Sequence, residues 1–282
     1  MTAAPPAASP PWAQAAARLL APVFTPGSVS LAGAGPGDPG LLTLHAAHAL
    51  ATADVVLHDA LIPPAILELA ATSHLEPVGK RAGRAGASQL RINQRLITLA
   101  QQGLRVLRLK GGDPLIFGRG AEEALALLAA GIPFRIIPGV SAGIGGAAAA
   151  GIPLTHRGMA RTVTFATGHD CHGRPPGDLA PLSRGAEVLV FYMALRQAGP
   201  IAAALIAAGR PPDEPVAFLA DATTPDQRVI TATLGTAGAA AATLPRSSPT
   251  LIVVGPVVAF HDLFAPLLAP MTIAARQAAL PA

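Results

Sequence analysis

The chain has 282 residues, a formal charge of +4 and 51% hydrophobic against 13% charged residues. Its length exceeds the ~150-residue domain prior, and its apolar content supports a sizeable core and excludes general disorder. The cations are scattered, which argues against nucleic acid as a partner. One cysteine, Cys171, excludes an intramolecular disulfide framework and a cysteine-based metal site, and fits a reducing, cytoplasmic compartment. His156 and His169 lack companions at ligand spacing, so no metal is expected. No stretch reads as a membrane span, because the longest uncharged ones, such as 136–154, are broken by Gly and Pro.

Residues 1–27, rich in Ala and Pro, read as a flexible leader. Then short apolar runs alternate with helical patterns. Strands are predicted at 28–33, 54–59, 105–112 and 134–139, and helices at 41–53, 64–71, 89–102, 120–130 and 141–150. Apolar β-branched runs separated by helices of this length indicate βαβ units and a parallel sheet. Beyond GIPLTHRG (151–158) the pattern changes. Strands at 162–168, 187–193, 215–221, 227–235 and 250–255 are interrupted by few helices, one of them at 198–209. Residues 170–186, rich in Pro, Gly and Asp, read as a loop. The fold class is therefore α/β, with a mostly parallel sheet over 28–155, a mixed sheet over 156–264, and a tail over 265–282.

Two glycine loops carry the chemistry. GAGPGD (33–38) follows the first strand and superficially matches a dinucleotide fingerprint. The third glycine of that pattern is replaced by Asp38, which is a good cap with Pro39 behind it but repels a pyrophosphate. RLKGGDP (108–114) again ends a strand with glycines and an acid, Asp113. Both loops would meet at the carboxyl edge of the sheet. An acid-lined crevice suits a cationic, phosphate-free ligand such as S-adenosylmethionine. A plain strand–turn–helix corner remains the bland alternative for the first loop.

With these loops the sequence resembles the tetrapyrrole C-methyltransferases, over roughly residues 28–260. The likeness rests on VSLAGAGPGDPGLLTL (29–44), ADVVLHDALI (53–62), VGKRAG (78–83), RVLRLKGGDPLIFGRG (105–120), IPGVSAGIGGAAAAGIPLTHR (137–157), TFATGH (164–169) and VFYMAL (190–195), in family order. The resemblance implies two α/β domains with the active-site cleft between them and a homodimer. It implies methyl transfer from S-adenosylmethionine to uroporphyrinogen III, twice in succession, giving precorrin-2 through precorrin-1 for sirohaem or cobalamin synthesis. It places donor contacts at Pro36, Gly111, Gly112, Asp113, Ile116, Ser141, Ala142, Met193 and Ala222. It makes Asp59 a proton acceptor and Lys80 a proton donor; by residue type alone, a cap of the next turn is the lesser alternative for Asp59, and a carboxylate clamp suits Lys80 as well. The eight substrate carboxylates call for cations, and Arg81, Arg119, Arg157 and Arg161 lie in or beside the motifs. A sibling methylase acting on a later precorrin, an NAD-dependent oxidoreductase and a non-catalytic ligand sensor are the competing readings. Asp38 disfavours the oxidoreductase.

Overall fold

The computed structural model describes residues 24–70, 74–79, 88–169 and 177–268. They fall into two compact units. The first comprises 24–34, 42–110 and 119–139; the second comprises 35–41, 111–118 and the residues from 140 onward. None of the described helices is long and apolar enough to cross a membrane.

In the first unit, β1 (Val29–Gly33), β2 (Val55–His58), β3 (His74–Pro77), β4 (Val106–Lys110) and β5 (Phe134–Ile137) form a sheet in the order β3-β2-β4-β1-β5. Every pairing is parallel. Strands covered on both faces need apolar side chains on both, and β1 and β4 are buried along their whole length. Alternation splits them between two cores. Ala32, Val56, Leu107 and Leu109 pack with helix α1 (Leu44–Thr52), whereas Leu31, Leu57 and Val106 pack with α3 (Gln89–Gln101) and α4 (Gly120–Ala129). The short α2 (Pro64–Leu67) lies between β2 and β3 in the chain. Side-chain caps start α1 and α3: Thr43 Oγ1 accepts the Ala46 N–H at 3.2 Å, and Ser88 Oγ accepts that of Arg91 at 3.3 Å.

Three features depart from the sequence reading here. Strand β3 was not predicted, because HLEP is a mostly exposed edge strand with no apolar alternation. The first glycine loop does not open a helix directly. Asp38 instead caps a 3-10 turn at Pro39–Leu41, its Oδ1 accepting the Gly40 N–H at 2.7 Å, and α1 starts later with its own cap. Phe24, inside the stretch read as a leader, is buried in the core with α1, and the Arg135 guanidinium lies 5.2 Å from its ring centre. The preceding residues, 1–23, lie outside the described set.

The second unit holds β6 (Val163–Thr167), β7 (Val188–Tyr192), β8 (Pro215–Ala220), β9 (Arg228–Thr233) and β10 (Thr250–Val254), ordered β6-β7-β10-β8-β9. Only β6 and β7 run parallel; β10 opposes β7 and β8, and β8 opposes β9. One face, with Leu189, Phe191, Phe218 and Ile252, packs with α7 (Ala198–Ala207) and α8 (Ala237–Ala242). The other, with Val190, Ala217, Leu219 and Val253, packs with α5 (Ala142–Ala149). That packing puts the division between units at 139/140, ahead of the 155 boundary read from the chain. Helix α6 (Ala180–Gly185) lies within the segment read as a loop. Its Pro and Gly residues sit at its ends, where a helix tolerates them. The chain's last described helix is α9 (Phe260–Phe264).

Candidate active site

Strands β1 and β4 are neighbours in register, Gly33 facing Lys110, so the loops that follow them emerge at the same level. They are joined at once. The Gly112 N–H donates to the Gly35 carbonyl at 2.8 Å, and the Gly35 N–H donates back to Gly112 at 3.2 Å. The acid of the first loop is fixed too. Asp38 is buried, and its N–H donates to Thr223 Oγ1 at 3.1 Å. In the second loop, Asp113 Oδ1 accepts the Leu115 N–H at 2.8 Å, and Ile116 and Phe117 stand partly exposed.

Both loops belong with α5, whose glycines explain themselves by what lies against them. A Cβ at Gly143 would fall 2.3 Å from Tyr192 Oη, one at Gly145 2.8 Å from Pro36 Cγ, and one at Gly146 2.9 Å from Ala222 Cβ. Three segments therefore approach one helix to distances that any side chain would forbid. Gly112 faces the start of the same helix, at Ser141 and Ala142. Thus Pro36, Gly112, Ser141, Ala142 and Ala222 are brought together around α5, with Met193 one residue past Tyr192. Gly111 and Asp113 flank Gly112 in the same loop, and Ile116 follows on its exposed side.

The backbone here is strained. Phe117, Met193, Asp221 and Thr223 adopt φ of 51°, 53°, 48° and 65°. Each such residue costs on the order of 1–3 kcal/mol and survives only where its surroundings over-determine it. Met193 is held by the bond from the Gly168 N–H to the Tyr192 carbonyl, at 2.7 Å, yet leaves half its surface exposed.

The first unit carries a contrasting cluster. Residues 106, 108 and 110 share one face of β4, so Arg108 and Lys110 point into the interior, where both are buried. They meet Glu123, also fully buried, in the first turn of α4, where a helix favours an acid. Glu123 Oε1 accepts from Arg108 Nε at 3.0 Å, Lys110 Nζ at 3.0 Å and Gln89 Nε2 at 3.1 Å. Arg108 also donates to the Leu109 carbonyl at 3.2 Å and, through Nη2, to Asp59 Oδ1 at 2.5 Å. Burial opposes the Arg108 charge, but Asp59 and Glu123 more than offset it and hold the guanidinium above its ordinary value. For Lys110, burial and then the neighbouring Arg108 push the ammonium below its ordinary value despite Glu123. Asp59 remains partly exposed at the end of β2. A Cβ at Gly79 would lie 2.2 Å from the Ala60 nitrogen, so the chain at position 79 reaches the Asp59 turn only as glycine.

Lys80 and Arg81 lie outside the described residues. Arg119, at φ 59°, makes a two-pronged pair with Glu122 at 2.8 and 2.6 Å. Arg157 is exposed in the turn bounded by the His156–Ala160 bridge. Arg161 is engaged with Glu187, which accepts its N–H at 2.6 Å. That contact precedes β6 and β7, whereas Met193 follows β7, about 16 Å of strand away. Arg108, Glu123, Phe117 and Tyr192 went unnoticed in the sequence; the alternation in VLRLK, which turns two cations to one face, was the signal for the first.

Residues 28–238 match the family described as Tetrapyrrole (Corrin/Porphyrin) Methylases. The chain is 54% identical over 240 residues to a uroporphyrinogen-III C-methyltransferase of Sinorhizobium sp, covering 84% of this chain and 86% of that protein. It is 49% identical over 240 residues to siroheme synthase 1 of Yersinia enterocolitica, covering 85% of this chain but only 50% of that longer protein. Among solved structures, uroporphyrin-III C-methyl transferase from Thermus thermophilus, complexed with S-adenyl homocysteine, matches at TM-score 0.72 and 40% identity. The match covers 82% of this chain and 99% of that one.

Proposed function

Because the chain belongs to the tetrapyrrole methylase family, we propose that it is an S-adenosylmethionine-dependent C-methyltransferase acting on uroporphyrinogen III. The observation that carries this reading is the convergence of the Gly35 and Gly112 loops on α5 with Asp38 buried among them. A carboxylate already accepting the Gly40 N–H occupies the turn that a dinucleotide's pyrophosphate would need. The neutral backbone edges, Asp113 and the apolar Ile116 and Met193 suit an amine- and sulfonium-bearing ligand instead. When bound, that donor supplies an electrophilic methyl group.

Pro36, Gly111, Gly112, Asp113, Ile116, Ser141, Ala142, Met193 and Ala222 hold the donor in this proposal. The pyrrole β-carbon is itself nucleophilic, so alignment is the main requirement and no side-chain nucleophile is needed. After methylation a proton must leave the macrocycle. Asp59 accepts it, its carboxylate oriented by Arg108. Lys80 donates a proton or, with Arg81, Arg119 and Arg157, holds substrate carboxylates. Two methyl groups are added in separate turnovers, so precorrin-1 precedes precorrin-2. The product feeds sirohaem or cobalamin synthesis, and the enzyme works as a cytoplasmic homodimer.

Calorimetry tests the donor assignment. S-adenosylhomocysteine should bind, and NAD should not. Tight NAD binding without any for S-adenosylhomocysteine would remove the methyltransferase reading.

A further inference from the structure

Tyr192 closes β7 with its ring in the core and its hydroxyl doing something no core packing requires. Oη lies 2.7 Å from Ser141 Oγ and accepts the Gly143 N–H at 2.9 Å. Ser141 stands at the N-cap of α5, yet its own side chain caps nothing there. A first-turn N–H of the helix is instead satisfied by a residue 49 positions away. The same ring meets Phe117 of the second glycine loop, with ring centres 4.9 Å apart, and Phe165 edge-on at 5.8 Å. One side chain thus ties together the start of α5, the loop carrying Gly111–Asp113, and the strained Met193 that follows it. Burial, with Asp113 adding to it, raises the phenol above its ordinary value although the Ser141 and Gly143 bonds pull the other way. The hydroxyl therefore keeps its proton through the neutral range.

We propose that Tyr192 is a positioning residue for the methyl donor. Its hydroxyl sets the Ser141–Gly143 turn, and its ring seats the Phe117 loop, in the arrangement that receives the donor. The inference rests on the donor site proposed above. A phenylalanine would preserve the packing, so the hydroxyl can be tested alone.

Tyr192→Phe should raise the dissociation constant for S-adenosylhomocysteine, and the KM for the donor, by about three- to ten-fold, the scale of one hydrogen bond. The tetrapyrrole KM should stay near wild type, and the thermal midpoint should fall by no more than the few degrees that a lost buried hydrogen bond brings. Ser141→Ala should weaken donor binding in the wild type, and by a smaller factor in the Tyr192→Phe background, because the Ser141–Tyr192 bond is already gone there and only Ser141's own contact with the donor is left to lose. Wild-type affinity for S-adenosylhomocysteine in Tyr192→Phe would overturn the inference alone. Equal losses toward donor and tetrapyrrole, or additive effects of the two substitutions, would also overturn it. A wild-type chain that fails to bind S-adenosylhomocysteine would overturn the donor site itself.

Discussion

In the first unit, four ionisable groups meet behind the end of β2: Arg108, Lys110 and Glu123 buried, Asp59 at the rim. In the second, the segments around α5 meet through backbone and apolar atoms, with the Asp38 and Asp113 carboxylates accepting backbone N–H groups of their own loops, and what lets them approach is the lack of a Cβ at Gly143, Gly145 and Gly146. The first arrangement is held by opposite charges that cannot be removed singly. The second is held by shape, and fails when volume is added. The difference suits the proposed division of labour. A proton acceptor needs a fixed electrostatic setting, whereas a sulfonium donor needs a close-fitting wall without phosphate-binding character.

The comparison is broken most severely at Glu123. Glu123→Gln leaves Arg108 and Lys110 buried with Asp59 as their only acid in the cluster. Removing one partner of a buried ion pair costs about 3–5 kcal/mol, which urea unfolding would measure. The pH dependence sharpens this. Lys110, held below its ordinary value, binds fewer protons folded than unfolded, so stability rises with pH through the window below that value. Raising pH toward 10 should recover part of the loss in Glu123→Gln. A variant as stable as the wild type at pH 7 would show that the cluster is no constraint.

At the rim the effect moves from stability to rate. Asp59→Asn keeps an oxygen for Arg108 and removes the proton acceptor. Turnover should fall by ~10²-fold or more while donor binding is retained. Near-normal turnover would reduce Asp59 to the end of a strand.

The second unit should respond to volume. Gly145→Ala puts a methyl 2.8 Å from Pro36 Cγ. Overpacking of this kind costs about 1–3 kcal/mol. Weaker S-adenosylhomocysteine binding at an unchanged tetrapyrrole KM would tie the strain to the donor side; a loss shared by both ligands would not.

The smallest effect is expected on the surface of the first unit. Glu76 is held below its ordinary value of 4.5 first by its hydrogen bond from the half-exposed Arg95. Its contribution is present above that value and lost as pH falls through the depressed one. Glu76→Gln should cost less than about 1 kcal/mol at pH 7, and its curve should rejoin the wild type in acid.

How far these features were legible depends on their range. The parallel sheet followed from runs such as SVSLAG and RVLRLK, because a strand covered on both faces is written locally. The meeting of the two glycine loops followed from both ending strands at the carboxyl edge of one parallel sheet, although the adjacency of β1 and β4 did not. Strand β3 escaped because an exposed edge carries no apolar pattern, and α6 because its Pro and Gly residues resemble a loop until they fall at helix ends. The burial of Arg108 and Lys110 was hidden because a strand with alternating charges ordinarily turns them to water. Their partner lies in a helix beyond the loop. Tyr192 was the least legible. Its hydroxyl partners are 51 and 49 residues distant, and nothing in VFYM separates a core tyrosine from one that sets a turn. The glycines of α5 read as an Ala/Gly helix, but the three segments pressing on it are known only from the fold.

The central claim is methyl transfer, and one measurement reaches it directly. The protein is incubated with S-adenosylmethionine carrying an isotope-labelled methyl group and with enzymatically made uroporphyrinogen III, and products are followed by mass spectrometry over time. The account predicts a singly methylated species that rises and decays into a doubly methylated one bearing two labelled methyl groups. No label in the tetrapyrrole, or label accepted only by a precorrin already carrying two methyl groups, would contradict it.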